Sequence, residues 1–214
     1  MALDSSTSGA DLVWLPVPDA EISYLDCLEL AESDAQVLQR LIAEIPWRCE
    51  EVVMWGRRMR QPRLTAWYGD AGSRYAYSGL ELDPLPWTPL LSDIKARIEA
   101  VTGSAFNSVL LNYYRDHHDS VGFHSDDEPE LGPRPVIASL SLGEERNFIL
   151  KHKRSKTAAP VRLRLASGSL LLMKGETQLC WRHGVPKEKR PCGPRVNLTF
   201  RTILQSQRPS AARS

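Results

Sequence analysis

The segment Gly122-Phe123-His124-Ser125-Asp126 places an imidazole and a carboxylate two positions apart. On an extended strand, residues at that spacing leave the same face, so His124 and Asp126 would share a target. One borderline ligand and one hard ligand, joined by a distant histidine and leaving coordination positions open, suit a 2-His-1-carboxylate site for ferrous iron. His183 and His152 are the candidates for the third ligand. His117 and His118 are expected in an exposed loop, and His152, inside a basic run, is expected to be solvated. Taken alone, these residues leave the choice of third ligand open.

A second constellation lies near the C-terminus. Along Pro194-Arg195-Val196-Asn197-Leu198-Thr199-Phe200-Arg201, apolar and polar residues alternate strictly. Val196, Leu198 and Phe200 therefore face one way, and Arg195, Asn197, Thr199 and Arg201 the other. Four polar side chains against a dry core would be costly. Lining a pocket for an anion, they make sense, because guanidinium groups bind carboxylates bidentately. By the same period of two, Asn112 and Tyr114 share a face and could add donors.

Positioning these groups requires strands. Val37, Leu38, Leu41, Ile42 and Ile45 form one helical face after Ser33, ending at Pro46. A second helix follows Pro89, with Leu90, Leu91, Ile94, Ile98 and Val101 on one face and Gly103 as its stop. Short runs at Ser108–Tyr114, Val136–Leu142, Asn147–His152, Val161–Leu165, Ser169–Met173 and Arg195–Ile203 read as strands. Helices followed by strands argue α+β with antiparallel sheets, here a double-sheet jelly roll with the N-terminal helices packed outside. The expected organisation is one domain over residues 12–205, between loose tails at 1–11 and 206–214. Helices and recognition strands would occupy 12–107, and the jelly-roll core 108–205.

Composition sets the limits. The 214 residues are 42% hydrophobic and 25% charged, which excludes disordered and fibrous classes. A net charge of +1 announces no polyanionic partner, so any such case must rest on local clusters. Cys27, Cys49, Cys180 and Cys192 show no zinc spacing, and Met1 to Asp11 lacks the basic-then-apolar order of a secretory signal. No apolar run is long enough to span a membrane. Reduced thiols in a cytoplasmic protein (nuclear in a eukaryote) are expected, as is a monomer with no membrane partner.

The ordered set Asn112-Tyr113-Tyr114-Arg115-Asp116, His124-Ser125-Asp126-Asp127-Glu128-Pro129, His183 and Arg195-x-Asn197-x-Thr199-x-Arg201 resembles the signature of the AlkB dioxygenases. The likeness runs through Pro62–Gly69, Tyr75–Gly79 and Ile137–Ser141, covers roughly residues 45–205, and is greatest toward the eukaryotic DNA-repair members. The resemblance implies that His124, Asp126 and His183 bind iron(II) and are catalytic. Arg195, with Asn112 and Tyr114, would hold the far carboxylate of 2-oxoglutarate, and Arg201 would sit by the carboxylate at the metal. Asn197 and Thr199 would complete that pocket. With O2, the implied reaction is oxidative demethylation of 1-methyladenine and 3-methylcytosine in DNA, releasing formaldehyde, succinate and carbon dioxide.

On the substrate side, an extruded base would meet Tyr75, Tyr77 and Ser78, with stacking worth about 1–3 kcal/mol per base. Asp127 would meet the exocyclic amino edge and favour a cationic alkylated base, while Glu128 would order the loop. Trp55, in Val53-Met54-Trp55-Gly56, is placed to wedge into a duplex, or else is a core residue. Arg57, Arg58, Arg60 and Arg63, and then Lys151, Lys153, Arg154 and Lys156, form two basic runs suited to phosphates. The alternatives are an RNA demethylase, a hydroxylase of protein or small molecules, and a catalytically silent nucleic-acid-binding module.

Overall fold

The computed structural model describes residues 11–54, 57–73, 75–77 and 80–204, so the expected tails lie outside the described residues apart from Asp11. The chain opens with two strands, β1 (Val13–Leu15) and β2 (Glu21–Leu25), before its first helix, α1 (Asp34–Glu44). Ser33 begins α1 with a reciprocal capping box. Its hydroxyl accepts from Gln36 N at 3.4 Å, and Gln36 Oε1 accepts from Ser33 N at 3.1 Å. The helix stops at Ile45, which is extended as the residue before Pro46 must be. Val37 and Leu41 are its buried residues, each contributing roughly 1.5–3 kcal/mol by burial.

Five short strands then precede the second helix: β3 (Glu51–Met54), β4 (Arg57–Arg60), β5 (Leu64–Gly69), β6 (Tyr75–Tyr77) and β7 (Leu80–Leu82). The expected order of helices first and strands afterwards is thus corrected, because strands surround both helices. They escape a periodicity search because they are short and charged or interrupted by Gly and Pro. Helix α2 (Pro89–Thr102) carries proline in its first turn, is capped by Thr88 Oγ1 accepting from Leu91 N at 3.2 Å, and ends at Gly103 with φ +62°. Leu91, Ile94, Ile98 and Thr102 are its buried face, whereas Val101 lies on its exposed flank, against expectation.

The remainder is β8 (Ser108–Tyr114), β9 (Val121–His124), a 3-10 turn at Pro129–Leu131, β10 (Ile137–Gly143), β11 (Arg146–His152), β12 (Val161–Leu165), β13 (Leu170–Lys174), a short α3 (Thr177–Cys180), β14 (Trp181–Val185) and β15 (Arg195–Arg201). A seven-stranded antiparallel sheet has the order β1-β2-β13-β10-β15-β8-β5, and a four-stranded one β12-β11-β14-β9.

The period of two divides the large sheet into two working faces. Leu111, Leu140, Leu142, Leu172, Val196, Leu198 and Phe200 pack against Val37, Leu41, Leu91, Ile94 and Ile98 of the helices. On the other face, Tyr114, Ile137, Leu171 and Met173 meet Phe148, Leu150, Leu165, Trp181 and Val185 of the small sheet. The result is the expected jelly roll with helices outside, and polar residues of the inner face converge between its sheets.

Candidate active site

His183 pairs in register with His124 across β14 and β9, bringing their ring centroids to 4.5 Å. Gly184 permits this approach: a Cβ there would lie 3.1 Å from Val121 O and 3.2 Å from Gly122 O. Asp126 completes the group. It stands beyond the end of β9, so the expectation that it shares a strand face with His124 is corrected. A buried side chain, not a strand ladder, fixes it there: Gln178 Oε1 accepts from Asp126 N at 3.0 Å.

One ligand atom from each of His124, Asp126 and His183 can be chosen so that all lie within 4.8 Å of one another, a group that could hold a metal ion. His124 Nε2 is 3.9 Å from Asp126 Oδ1, and His183 Nε2 is 3.7 Å from Asp126 Oδ2. His124 Nδ1 lies 2.9 Å from Gly122 O. A carbonyl only accepts, so Nδ1 carries the proton and the Nε2 lone pair is left for a metal. Burial holds His183 neutral, with its pKa lowered to about 3 despite the nearby Asp126 carboxylate. Burial alone would raise Asp126, but the Arg201 guanidinium holds it below its ordinary value. Phe148 stacks over His183 at 5.1 Å and screens that ring.

The polar face of β15 is directed into the same pocket. Arg195 is 1% exposed, Asn197 8%, Thr199 7% and Arg201 9%, which excludes a solvent-facing strand. Arg201 Nη2 donates to Asp126 Oδ1 at 2.6 Å, while its Nε is buried without a partner. Arg195 Nη2 donates to Ser141 Oγ at 2.9 Å, and its Nε and Nη1 are buried without partners. Burial pushes the Arg195 guanidinium below its ordinary range, an effect that neighbouring Tyr114 opposes and Arg146 adds to. Buried cations with unmet donors call for an anion. A dicarboxylate that also chelates iron fits this pocket, since Arg63, Arg195 and Arg201 line it and Asp126 is the sole carboxylate among its lining residues.

Asn197 and Thr199 line the pocket but spend their polar atoms within the protein. Asn197 Nδ2 donates to Ser139 Oγ at 2.8 Å and to Leu140 O at 3.0 Å, and its Oδ1 accepts from Thr199 Oγ1 at 3.0 Å. They brace the wall. Asn112 and Tyr114 also line it, and Asn112 Oδ1 accepts from Arg63 Nε at 2.6 Å.

Several residues depart from expectation. Arg63 turns toward the pocket and leaves its basic run. Lys153 leaves the second run: its Nζ donates to Asp127 Oδ2 at 2.8 Å and to Gln178 O at 2.7 Å. Asp127, with its side chain 57% exposed, therefore already has a cationic neighbour. His152 is not solvated. Its side chain is 8% exposed, and Nδ1 accepts from Arg154 N and Ser155 N at 3.1 and 2.8 Å. It lies outside the metal group, which removes it as the third ligand. Glu128 O accepts from Leu131 N at 2.9 Å and so starts the 3-10 turn. His117 and His118 lie after β8 in a loop, as expected, but only His118 is exposed and His117 is half-buried. Trp55 and Ser78 lie outside the described residues, as do the side chains of Arg57, Arg58, Tyr75 and Tyr77.

Gln178 and Arg146 carry no spacing or motif that singles them out, and Ser139 and Ser141 stand only within the Ile137–Ser141 stretch of the family likeness, with no role attached. The Arg146 side chain is fully buried and reaches three backbone carbonyls. Nη1 donates to Asp116 O at 3.2 Å, and Nη2 donates to Asp119 O and Pro186 O, each at 2.8 Å. It thereby ties the loops after β8 and β14 to β11.

The model of the 2OG-Fe(II) oxygenase superfamily matches residues 24–201. The DNA oxidative demethylase ALKBH2 of Homo sapiens is 43% identical over 197 residues, spanning 88% of this chain and 75% of that protein. The alpha-ketoglutarate-dependent dioxygenase alkB homolog 3 of Mus musculus is 44% identical over 193 residues, spanning 86% of this chain and 66% of its own length. The chain thus spans slightly less than two thirds of that relative. The structure of OsALKBH1 aligns with TM-score 0.59 at 16% identity, over 89% of this chain and 99% of that one, a likeness of fold. The chain belongs to the 2OG-Fe(II) oxygenase superfamily and, within it, to the AlkB dioxygenases.

Proposed function

We propose that this protein is an iron(II)- and 2-oxoglutarate-dependent demethylase of alkylated DNA bases, with 1-methyladenine and 3-methylcytosine as substrates. The observation that carries this reading is the shared pocket: His124, Asp126 and His183 stand beside Arg195 and Arg201, two buried guanidiniums with unmet donors. The name of the 43%-identical human relative, a DNA oxidative demethylase, supports the choice of DNA.

In this reading His124 presents Nε2 to the metal, His183 a ring nitrogen kept neutral by burial, and Asp126 a carboxylate kept ionised by Arg201. Arg195 and Arg201 orient the cosubstrate, and Phe148 keeps water from His183. Iron(II), 2-oxoglutarate and O2 together supply the oxidising power that hydroxylates the methyl carbon, which then leaves as formaldehyde. Asp127, exposed at the chain position after a ligand, favours a cationic base over a neutral one. Tyr75, Tyr77 and Ser78 are assigned to the extruded base and Trp55 to the stack it leaves. Arg60, Lys151, Arg154 and Lys156 are exposed and suited to phosphates. We further propose that it acts as a monomer in the cytoplasm, or in the nucleus of a eukaryote.

Mass spectrometry of oligonucleotides bearing either lesion, as DNA and RNA, single- and double-stranded, tests the proposal with iron, ascorbate and 2-oxoglutarate supplied. Loss of 14 Da from DNA on the order of one methylene is expected. Turnover of RNA alone would establish the RNA demethylase, and turnover of a peptide alone the protein hydroxylase.

A further inference from the structure

We infer that Arg63 is a positioning residue of the cosubstrate pocket, acting by fixing which way the Asn112 amide faces. The inference rests on reading that pocket as a 2-oxoglutarate site. An asparagine amide offers an acceptor on one side and two donors on the other, and an arginine offers donors alone. Arg63 Nε lies 2.6 Å from Asn112 Oδ1, so the oxygen is engaged by Arg63 and the NH2 group is what Asn112 can offer to an anion. Turned the other way, Asn112 would set an oxygen against a carboxylate.

The backbone delivers Arg63 to this task. Thr65 pairs with Asn112 and Leu64 with Tyr113 across β5 and β8. Arg63, two residues before Thr65, continues the inner face on which Asn112 and Tyr114 stand. Its neighbours are pinned on both sides: Ser120 N donates to Pro62 O at 2.8 Å before it, and Thr65 N donates to Arg48 O at 2.8 Å after it. Arg63 and Asn112 both line the pocket with Arg195 and Arg201. The placement sets Arg63 apart from the phosphate-binding run in which its sequence position puts it.

The test measures 2-oxoglutarate binding by calorimetry to the manganese(II)-loaded full chain without O2, so the readout is affinity and not turnover. Arg63→Met should weaken 2-oxoglutarate about tenfold, and Arg63→Lys should recover part of the loss. In an Asn112→Ala background, Arg63→Met should change affinity by less than about twofold, because the two residues act as one unit. KM for an oligonucleotide, and its dependence on salt, should stay as in the parent. Unchanged 2-oxoglutarate affinity in Arg63→Met, or additive losses in the double variant, would overturn the inference. So would a raised oligonucleotide KM with a shallower salt slope, which would make Arg63 a phosphate contact. Should Arg63→Met not fold, Arg63→Gln, which keeps a donor, should fold and bind 2-oxoglutarate more tightly than Arg63→Ala; equal affinities would count against the inference. A parent protein that takes up no 2-oxoglutarate overturns the pocket reading itself, whereas binding in the parent that Arg63→Met leaves intact overturns this inference alone.

Discussion

Arg201 Nη2 stands 2.6 Å from Asp126 Oδ1, so the strand that carries the two buried pocket arginines also holds the carboxylate of the proposed metal group. The proposed metal and cosubstrate sites are therefore one electrostatic unit. Arg201→Met should abolish demethylation and weaken 2-oxoglutarate binding by roughly a hundredfold or more, as loss of a buried charge partner implies. Calorimetry with manganese(II) and then 2-oxoglutarate separates the two affinities, and unaltered cosubstrate binding would contradict the assignment.

His124→Ala and His183→Ala should each eliminate turnover and lower metal affinity, since each removes one of three ligands. Inductively coupled plasma analysis of metal content and the mass-spectrometric assay check this together. Full activity in His183→Ala would sink the triad.

Lys153 neighbours Asp127 at 2.8 Å, so the carboxylate assigned to the base is shared with an internal cation. Asp127→Ala should reduce kcat/KM for cationic 1-methyladenine more than for a neutral methylated base, by about tenfold in the ratio. Parallel assays on the two substrates give that ratio directly, and equal losses would remove Asp127 from base discrimination.

The Asp119 side chain accepts from Arg115 N at 2.9 Å, Nε at 2.8 Å and Nη2 at 2.9 Å. Burial would raise this carboxyl, but those bonds hold it below its ordinary value of 3.8. A carboxyl depressed in the folded state stabilises above its unfolded pKa and loses that stabilisation as pH falls through its folded pKa. Asp119→Asn should cost about 1–2 kcal/mol at neutral pH, Arg115 being half exposed and partly screened. Its deficit should shrink below pH 3.8. Urea titrations of both proteins at pH 7 and pH 3 test this, and a constant deficit would speak against the ion pair.

Much of the core was legible because its signals are local. Strict alternation in Arg195–Arg201 reports a strand with one dry and one polar face, and both faces hold. Ser33 with Gln36, and Pro89 with Gly103, mark helix ends through chemistry confined to a few residues. The rest depends on contacts that sequence spacing does not encode. Arg63 and Lys153 look like members of charge runs, yet each is drawn out of its run by a partner far along the chain, Asn112 and Asp127. The backbone support of Asp126 by Gln178 is equally non-local. Strands β3, β4, β6 and β7 carry little hydrophobic alternation, so period gave them no voice.

Arg146 addresses backbone carbonyls of Asp116, Asp119 and Pro186. A carbonyl is supplied by every amino acid, so these three bonds do not depend on the side chains at the positions they hold, although Arg146 Nε also lies 3.7 Å from Glu188 Oε1. Loop positions whose side chains hold nothing in place, unlike the buried Asp119, are free to diverge while the backbone stays anchored. A library that randomises His117 and His118 while preserving Arg146 and Asp119 should therefore retain a high share of folded members, with the loop backbone held by carbonyls that no substitution removes.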